Sequence, residues 1–239
     1  MKKAVIYFSG AGATKHVAER ISQEIQATLL PVEKGDFDIN DFDALIIGTP
    51  VYHAAPAGVI MRYFTDLKPL EKKTPAFIYN TRGLWSFNTN RILAKLLKEK
   101  NIIIVMDREY RSPASDGSLL APFIKSFFEF ESGLEEKIAS DCKDFMKILN
   151  AETPEGYLLK IPRFRFGSII NAPNKLAGKV FPLKIHLHKG KCTDCGLCVK
   201  NCPYKKEKCD NCYRCVHHCP TKALSLSKRK TPVKTLKYK

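Results

Sequence analysis

Eight of the nine cysteines in this chain fall in two copies of one pattern: Cys192-x-x-Cys195-x-x-Cys198-x-x-x-Cys202-Pro203 and Cys209-x-x-Cys212-x-x-Cys215-x-x-x-Cys219-Pro220. Thiolates so spaced are iron-sulfur ligands: three wrap one cubane from a single tight loop, and the fourth, leaving on a helix before a proline, points to a neighbouring cubane. Structural zinc usually takes two separated Cys-x-x-Cys pairs, a geometry with no role for the third cysteine and the Cys-Pro. Disulfides require an oxidising compartment. Nothing directs export, because the apolar run Ala4 to Phe8 is too short for a signal sequence and leads into a glycine loop. No stretch has the apolar length of a membrane span. A cytoplasmic protein, kept reduced and shielded from oxygen, is expected.

The doubled run resembles the bacterial two-cluster ferredoxins. The expected ligand sets are crossed: Cys192, Cys195, Cys198 and Cys219 for one 4Fe-4S cluster, and Cys209, Cys212, Cys215 and Cys202 for the other. The two runs are offset by 17 residues, leaving only Tyr204 to Lys208 between Pro203 and Cys209. Ordinary two-cluster ferredoxins carry a longer insert there, with a returning strand; the second repeat keeps such a strand as Ala223 to Leu226.

A second chemistry stands near the other end. Ser9-Gly10-Ala11-Gly12-Ala13-Thr14 is a run of small residues between an apolar strand and a helix. Such a loop lets backbone N–H groups converge on a phosphate at the positive end of the helix, with the Ser9 and Thr14 hydroxyls adding bonds. Gly10 and Gly12 fit the first two positions of a dinucleotide fingerprint, but Lys15 occupies the third, where glycine is needed for close helix packing. Glu33 stands at a tolerable distance for a ribose-binding acid. A mononucleotide phosphate is the favoured ligand.

These loops need strands and helices to place them. Ala4 to Phe8, residues 29 to 32, Ala44 to Gly48, Ala76 to Tyr79 and Ile102 to Met106 read as strands. Between them, Thr14 to Leu29 shows a helical stripe of Val17, Ile21, Ile25 and Leu29. Pro56 opens a helix bearing Val59, Ile60, Tyr63 and Phe64, and Ile92, Leu93, Leu96 and Leu97 mark another. Ser132 and Glu135 predict a capping box for a last helix with Ile138, Cys142, Phe145 and Leu149 on its apolar face. Five strands alternating with helices imply an α/β fold with a doubly wound parallel sheet. Cys142, on that apolar stripe, reads as a buried structural thiol.

Residues 1–150 resemble flavodoxin, through Tyr7-Phe8-Ser9-Gly10, the Gly12 and Thr14 loop, Gly48-Thr49-Pro50-Val51-Tyr52, and Thr81-Arg82-Gly83. The resemblance implies FMN at the switch point of a five-stranded sheet, its isoalloxazine held by the two later loops. Tyr52 and Trp85 are the aromatics placed to stack on it, each with the alternative of a loop packing residue. Arg82 stabilises charge at the reduced flavin or makes a surface salt bridge; His53 reads as a loop polar group. Ala11 and Ala13 stand where flavodoxins commonly carry a hydroxyl and a polar residue. Residues 151–186, with Pro154, Pro162 and Pro173, read as a connector, and 187–239 as a small α+β ferredoxin-like domain with a basic tail.

The whole chain resembles a fused flavodoxin-ferredoxin protein of the kind found in anaerobes. That implies electron transfer between low-potential one-electron donors and acceptors through two 4Fe-4S clusters and FMN. The alternatives are a carrier without a small-molecule substrate and a basic nucleic-acid-binding module with structural clusters. No nucleophile triad, metal-hydrolase motif or catalytic carboxylate pair accompanies these motifs, so any enzymatic chemistry is the flavin's. From residue 151 onward 20 Lys and Arg face five Asp and Glu, a net of +15, against +1 for the first 150 residues. The expected partner is therefore an acidic redox protein; nucleic acid is disfavoured because no recognition motif accompanies the charge.

Overall fold

In the computed structural model, the described residues are 1–35, 37–151, 159–166, 184–204, 209–232 and 234–236. Strands β1 (Lys3–Tyr7), β2 (Thr28–Pro31), β3 (Ala44–Tyr52), β5 (Thr74–Arg82) and β6 (Ile102–Arg111) form a parallel sheet in the order β2-β1-β3-β5-β6. A two-residue strand, β4 (Ala55–Pro56), turns back antiparallel on the end of β3. The central strands are apolar along nearly their whole length because helices cover both faces. Helices α1 (Ala13–Ile25) and α5 (Leu134–Ala151), the latter preceded by the one-turn α4 (Gly117–Leu120), pack with Val5, Tyr7, Phe77 and Tyr79 on one face. On the other face, α2 (Gly58–Asp66) and α3 (Thr89–Lys98) pack with Ile6, Ile47, Ile78 and Ile104. This is the doubly wound sheet expected from the alternation of elements.

Some element ends differ from their sequence pattern. Helix α1 stops at Ile25, four residues before Leu29, because Gln26 turns left-handed at φ 52° and the Ala27 N–H closes on Ser22 O at 3.0 Å. Leu29 then pairs with Val5 in the sheet. Pro56 lies in β4 and α2 begins two residues later. Glu135, expected to close a capping box with Ser132, faces α1, where it pairs with Arg20 and with His16 at 3.1 Å. Strands β3, β5 and β6 run several residues beyond their apolar cores, which carries Thr49 to Tyr52 and Thr81 to Arg82 to the sheet's carboxyl edge.

Of the connector, 152–158 and 167–183 lie outside the described residues. Residues 159–166 lie along β6 and α3: Lys160 N donates to Ile104 O at 2.7 Å, and Arg91 reaches Pro162 O at 2.8 Å. The C-terminal unit is small. It has a two-stranded antiparallel sheet of β7 (His186–Leu187) and β8 (Leu224–Ser225), and one-turn helices α6 (Leu197–Lys200) and α7 (Arg214–His217), one in each cysteine repeat.

Candidate functional site

The strand order reverses between β1 and β3, and in a sheet of this kind ligands bind in the crevice at that point. Its first wall is the Ser9 to Thr14 loop. Gly12 N donates to Ser9 Oγ at 3.1 Å, closing the turn, and Gly12 sits at φ 103°, which a residue with a side chain rarely adopts. The Thr14 and Thr81 hydroxyls bond each other at 2.7 Å, and Tyr79 OH donates to Thr14 O at 3.3 Å. The first loop is thereby tied to the end of β5. A cavity of about 50 Å³ remains, lined by Ser9, Gly10, Ala11, Ala13, Thr14, Pro50, Val51, Tyr52, Thr81, Gly83 and the segment 112–116. Small side chains, the Ser9, Thr14 and Thr81 hydroxyls and the amino end of α1 around that volume suit a phosphate group, with Asp116 the acid in the lining. Leu84 and Trp85 follow directly after the lining residue Gly83 and are exposed.

The remaining flavin-loop residues divide. Trp85 is 66% exposed and lies 6.2 Å from the Phe87 ring, so its face is open to solvent. Arg82 is committed: its Nε donates to Glu109 at 3.2 Å and its guanidinium to Leu84 O at 2.8 Å, bracing the loop that carries Trp85. Tyr52 is turned towards Gly10, whose N–H bonds its hydroxyl, and burial raises its pKa well above the usual phenol.

The two cysteine repeats sit in unlike surroundings. Every residue from Thr193 to Lys200 is exposed, whereas none of the residues 17 positions on, Asp210 to His217, is. Cys195 and Cys198 face solvent, while their counterparts Cys212 and Cys215 are buried and half-buried. Backbone N–H groups point at the sulfurs, Asn211 N to Cys209 Sγ at 3.4 Å and Ala223 N to Cys219 Sγ at 3.3 Å. At Cys219, burial alone would raise the pKa, but bonds from the Thr221 hydroxyl and nearby backbone N–H groups outweigh it and hold the thiol below its ordinary value. Soft thiolates receiving N–H donors suit iron-sulfur ligation, where such bonds tune the cluster. Among the described residues, no three His, Cys, Asp or Glu side chains converge on a single-ion site.

What buries the second repeat is the first domain. Arg214 donates from Nε to Gly10 O at 3.2 Å and from a terminal nitrogen to Ser9 O, pairs with Glu33 at 2.8 Å, and lies 5.1 Å over the Phe8 ring. Asp210 accepts from Gly58 N, the first residue of α2, and from Tyr204 OH at 2.9 Å. His217 Nε2 donates to Ser115 O at 2.8 Å while its Nδ1 accepts from Leu236 N at 3.2 Å, which fixes the neutral tautomer. Burial lowers its pKa to about 4, in keeping with that form. Cys212 packs against Gly10, so the second cysteine run and the Ser9 to Thr14 loop are immediate neighbours.

Sequence reasoning missed Arg214, Asp210, His217 and Tyr204, and read Glu33 only as a ribose acid. The signal lay in the places where the repeats differ. Thr193, Gly196, Leu197 and Lys200 of the first repeat become Asp210, Tyr213, Arg214 and His217 in the second, and these replacements make the interface.

Comparison with known proteins bears on both halves. A flavodoxin-domain family model matches residues 4–85, and a 4Fe-4S binding-domain model matches residues 204–225, which hold the second cysteine repeat. No curated protein sequence matches the chain. Among solved structures, rubredoxin oxygen:oxidoreductase from Desulfovibrio gigas is 13% identical with a TM-score of 0.47, over 63% of this chain and 36% of that one. A WrbA-like flavodoxin protein from Agrobacterium tumefaciens is 16% identical with a TM-score of 0.46, over 64% and 99% of the two chains. Fusobacterium nucleatum flavodoxin bound to flavin mononucleotide is 15% identical with a TM-score of 0.45, over 62% and 99%. The two matches place a flavodoxin domain, which implies FMN, ahead of a 4Fe-4S binding domain on one chain, the architecture of a fused flavodoxin-ferredoxin.

Proposed function

We propose that this protein exchanges electrons between a low-potential one-electron carrier and FMN, using two 4Fe-4S centres held by the eight repeat cysteines in crossed sets. When bound, the clusters supply single-electron exchange and FMN supplies exchange of one or two electrons. The observation that carries the reading is the contact between Cys212 and Gly10, locked by Arg214 on Ser9 O and Gly10 O. Fusion alone raises the effective concentration of one domain near the other; these bonds fix the orientation as well. Ser9, Gly12 and Thr14 hold the phosphate end, Thr81 ties that loop to β5, and Arg82 braces the segment bearing Trp85.

The electron carrier is expected to be an acidic protein, because the cluster end of the chain holds almost all of the basic excess. Among the described residues no helix is long and apolar enough to cross a membrane, and a cytoplasmic setting belongs to the same reading. An anaerobic reductive titration with iron, sulfide and flavin analysis tests it. About eight iron and one FMN per chain, with the flavin and charge-transfer bands both bleaching, is the expected result. Zinc in place of iron, or a dinucleotide in place of FMN, overturns the reading.

A further inference from the structure

The unlike fates of the two repeats identify a docking surface. The second repeat turns its 210–217 face onto the flavodoxin domain, where Asp210, Arg214 and His217 each find a complementary group. Arg214 meets the Glu33 carboxylate and two backbone carbonyls, His217 meets the Ser115 carbonyl, and Asp210 meets an N–H. The surface that receives the repeat's basic residues is one of oxygen acceptors. Among the described residues nothing covers the corresponding face of the first repeat, 193–200, and all eight of its residues are exposed.

That open face has a definite composition. Leu197 and Val199 are 38% and 48% exposed, apolar side chains within the run that carries Cys195 and Cys198. Lys189, Lys191 and Lys200, all exposed, precede and close that run in the chain, with Asp194 as its acid, 3.5 Å from Cys192 Sγ. Lys191 is held in place by a 2.9 Å bond to Thr231 Oγ1. A small apolar centre with a charged rim favours fast, specific and short-lived docking, the rim setting the rate of encounter.

We infer that the 193–200 face of the first repeat is the site where an acidic redox protein docks, its carboxylates taken by Lys189, Lys191 and Lys200 around the Leu197 and Val199 contact. The inference rests on the electron-transfer reading above and names the surface that serves it. It also assigns the repeats different duties: the second binds inward to the domain that carries the flavin loop, and the first binds outward.

The test uses the full chain, reconstituted anaerobically, with an acidic ferredoxin as the probe. Affinity is measured at low ionic strength by calorimetry, and carbodiimide cross-links between probe carboxylates and lysines are mapped by mass spectrometry. The double variant Lys191→Glu, Lys200→Glu should bind at least about tenfold more weakly. The control Lys228→Glu, Lys230→Glu, with the same charge change in the basic tail, should change affinity by less than about threefold. Cross-links should concentrate on Lys189, Lys191 and Lys200. Equal losses in both variants, cross-links centred on the tail, or no binding of the probe overturns the assignment. So does a dimer in sedimentation that Lys191→Glu, Lys200→Glu dissolves, because the occupant is then a second copy of this chain. Cofactor content and reduction by dithionite are recorded for every variant. If these are normal while docking maps elsewhere, only the surface is wrong; if the parent protein lacks the cofactors, the underlying reading fails.

Discussion

Arg214 and Glu33 are 181 positions apart in the sequence, yet they pair directly across the boundary between the two halves, their side chains 15% and 27% exposed. The same guanidinium holds the carbonyls of Ser9 and Gly10, so one side chain fastens the second cysteine repeat to the Ser9 to Thr14 loop. Burial opposes a charge there, but the Glu33 bond and charge more than compensate, and the Arg214 pKa is raised.

Arg214→Ala should therefore loosen the docking of the two halves by about 1.5–3 kcal/mol, the range for hydrogen bonds to a charged group, and remove the cation paired with Glu33. Arg214→Lys should recover little, because an ammonium does not bridge a carboxylate and two carbonyls as a planar fork does. Hydrogen exchange at residues 9–12 and 210–217 reads the effect directly. Protection unchanged in Arg214→Ala would refute the latch.

Gly10 is a point of close approach in the interface. A Cβ there would run into the Tyr52 hydroxyl and the backbone of Cys212. Gly10→Ala should cost about 1–3 kcal/mol through overpacking, seen as weaker FMN binding and as proteolysis between the halves. Tyr52→Ala in the same chain should restore part of the loss by vacating the contested space. An undiminished FMN affinity in Gly10→Ala would show that the close approach is not maintained in solution.

Gly12 acts by another route, through its left-handed backbone. Gly12→Val places a branched side chain at positive φ and should weaken FMN binding by roughly 1–2 kcal/mol or more. Riboflavin, which lacks the phosphate, should be affected much less; equal losses for the two ligands would contradict a phosphate-binding role for this loop.

The two repeats should respond differently to the same ligand substitution. Cys195→Ser, in the exposed run, should lower iron from about eight to about four per chain and leave exchange protection at residues 9–12 intact. Cys212→Ser should lower iron to the same extent and also reduce exchange protection at residues 9–12, since losing the cluster that orders this run loosens the backbone packed on Gly10. Iron analysis with exchange mass spectrometry separates the two outcomes.

Cys142 should be inert. Burial, followed by the charges of Glu24 and Asp141, pushes its thiol up to about 12, so it stays protonated at neutral pH. Iodoacetamide at pH 8 should leave it unmodified until the chain is unfolded. Its protonated form is favoured in the fold, so the stabilisation it reflects is complete below about pH 9 and is lost as pH rises towards 12. Cys142→Ala should flatten that alkaline loss in thermal melts.

Much of the sheet was legible because buried parallel strands and amphipathic helices write strong local patterns. Val17, Ile21 and Ile25 mark a helix, and Ala44 to Ile47 mark a strand, whatever surrounds them. The cysteine spacing was equally plain, since ligand geometry constrains it within a dozen residues. What the sequence concealed was long-range. Whether Tyr52 faces a flavin or Gly10 depends on Cys212, 160 positions away in the chain. Arg214 looks like any basic residue in a basic segment until Glu33 and the carbonyls of Ser9 and Gly10 are brought to it. The α1 end was misjudged for a local reason: Leu29 continues the helical stripe, and only the left-handed turn at Gln26 shows that it belongs to β2.

The pairing of His186 and Leu187 with Leu224 and Ser225 brings together the chain on either side of the two cysteine repeats. A segment whose entry and exit lie side by side can be moved as a cassette. Residues 184–232, transplanted into a surface loop of an unrelated host, should close on themselves without asking that host to open by more than the width of one strand pair. The same closure means that a pull on the connector is borne by β7 and β8 before it reaches any cysteine, so the metal-binding loops are mechanically sheltered from motions of the chain that tethers them.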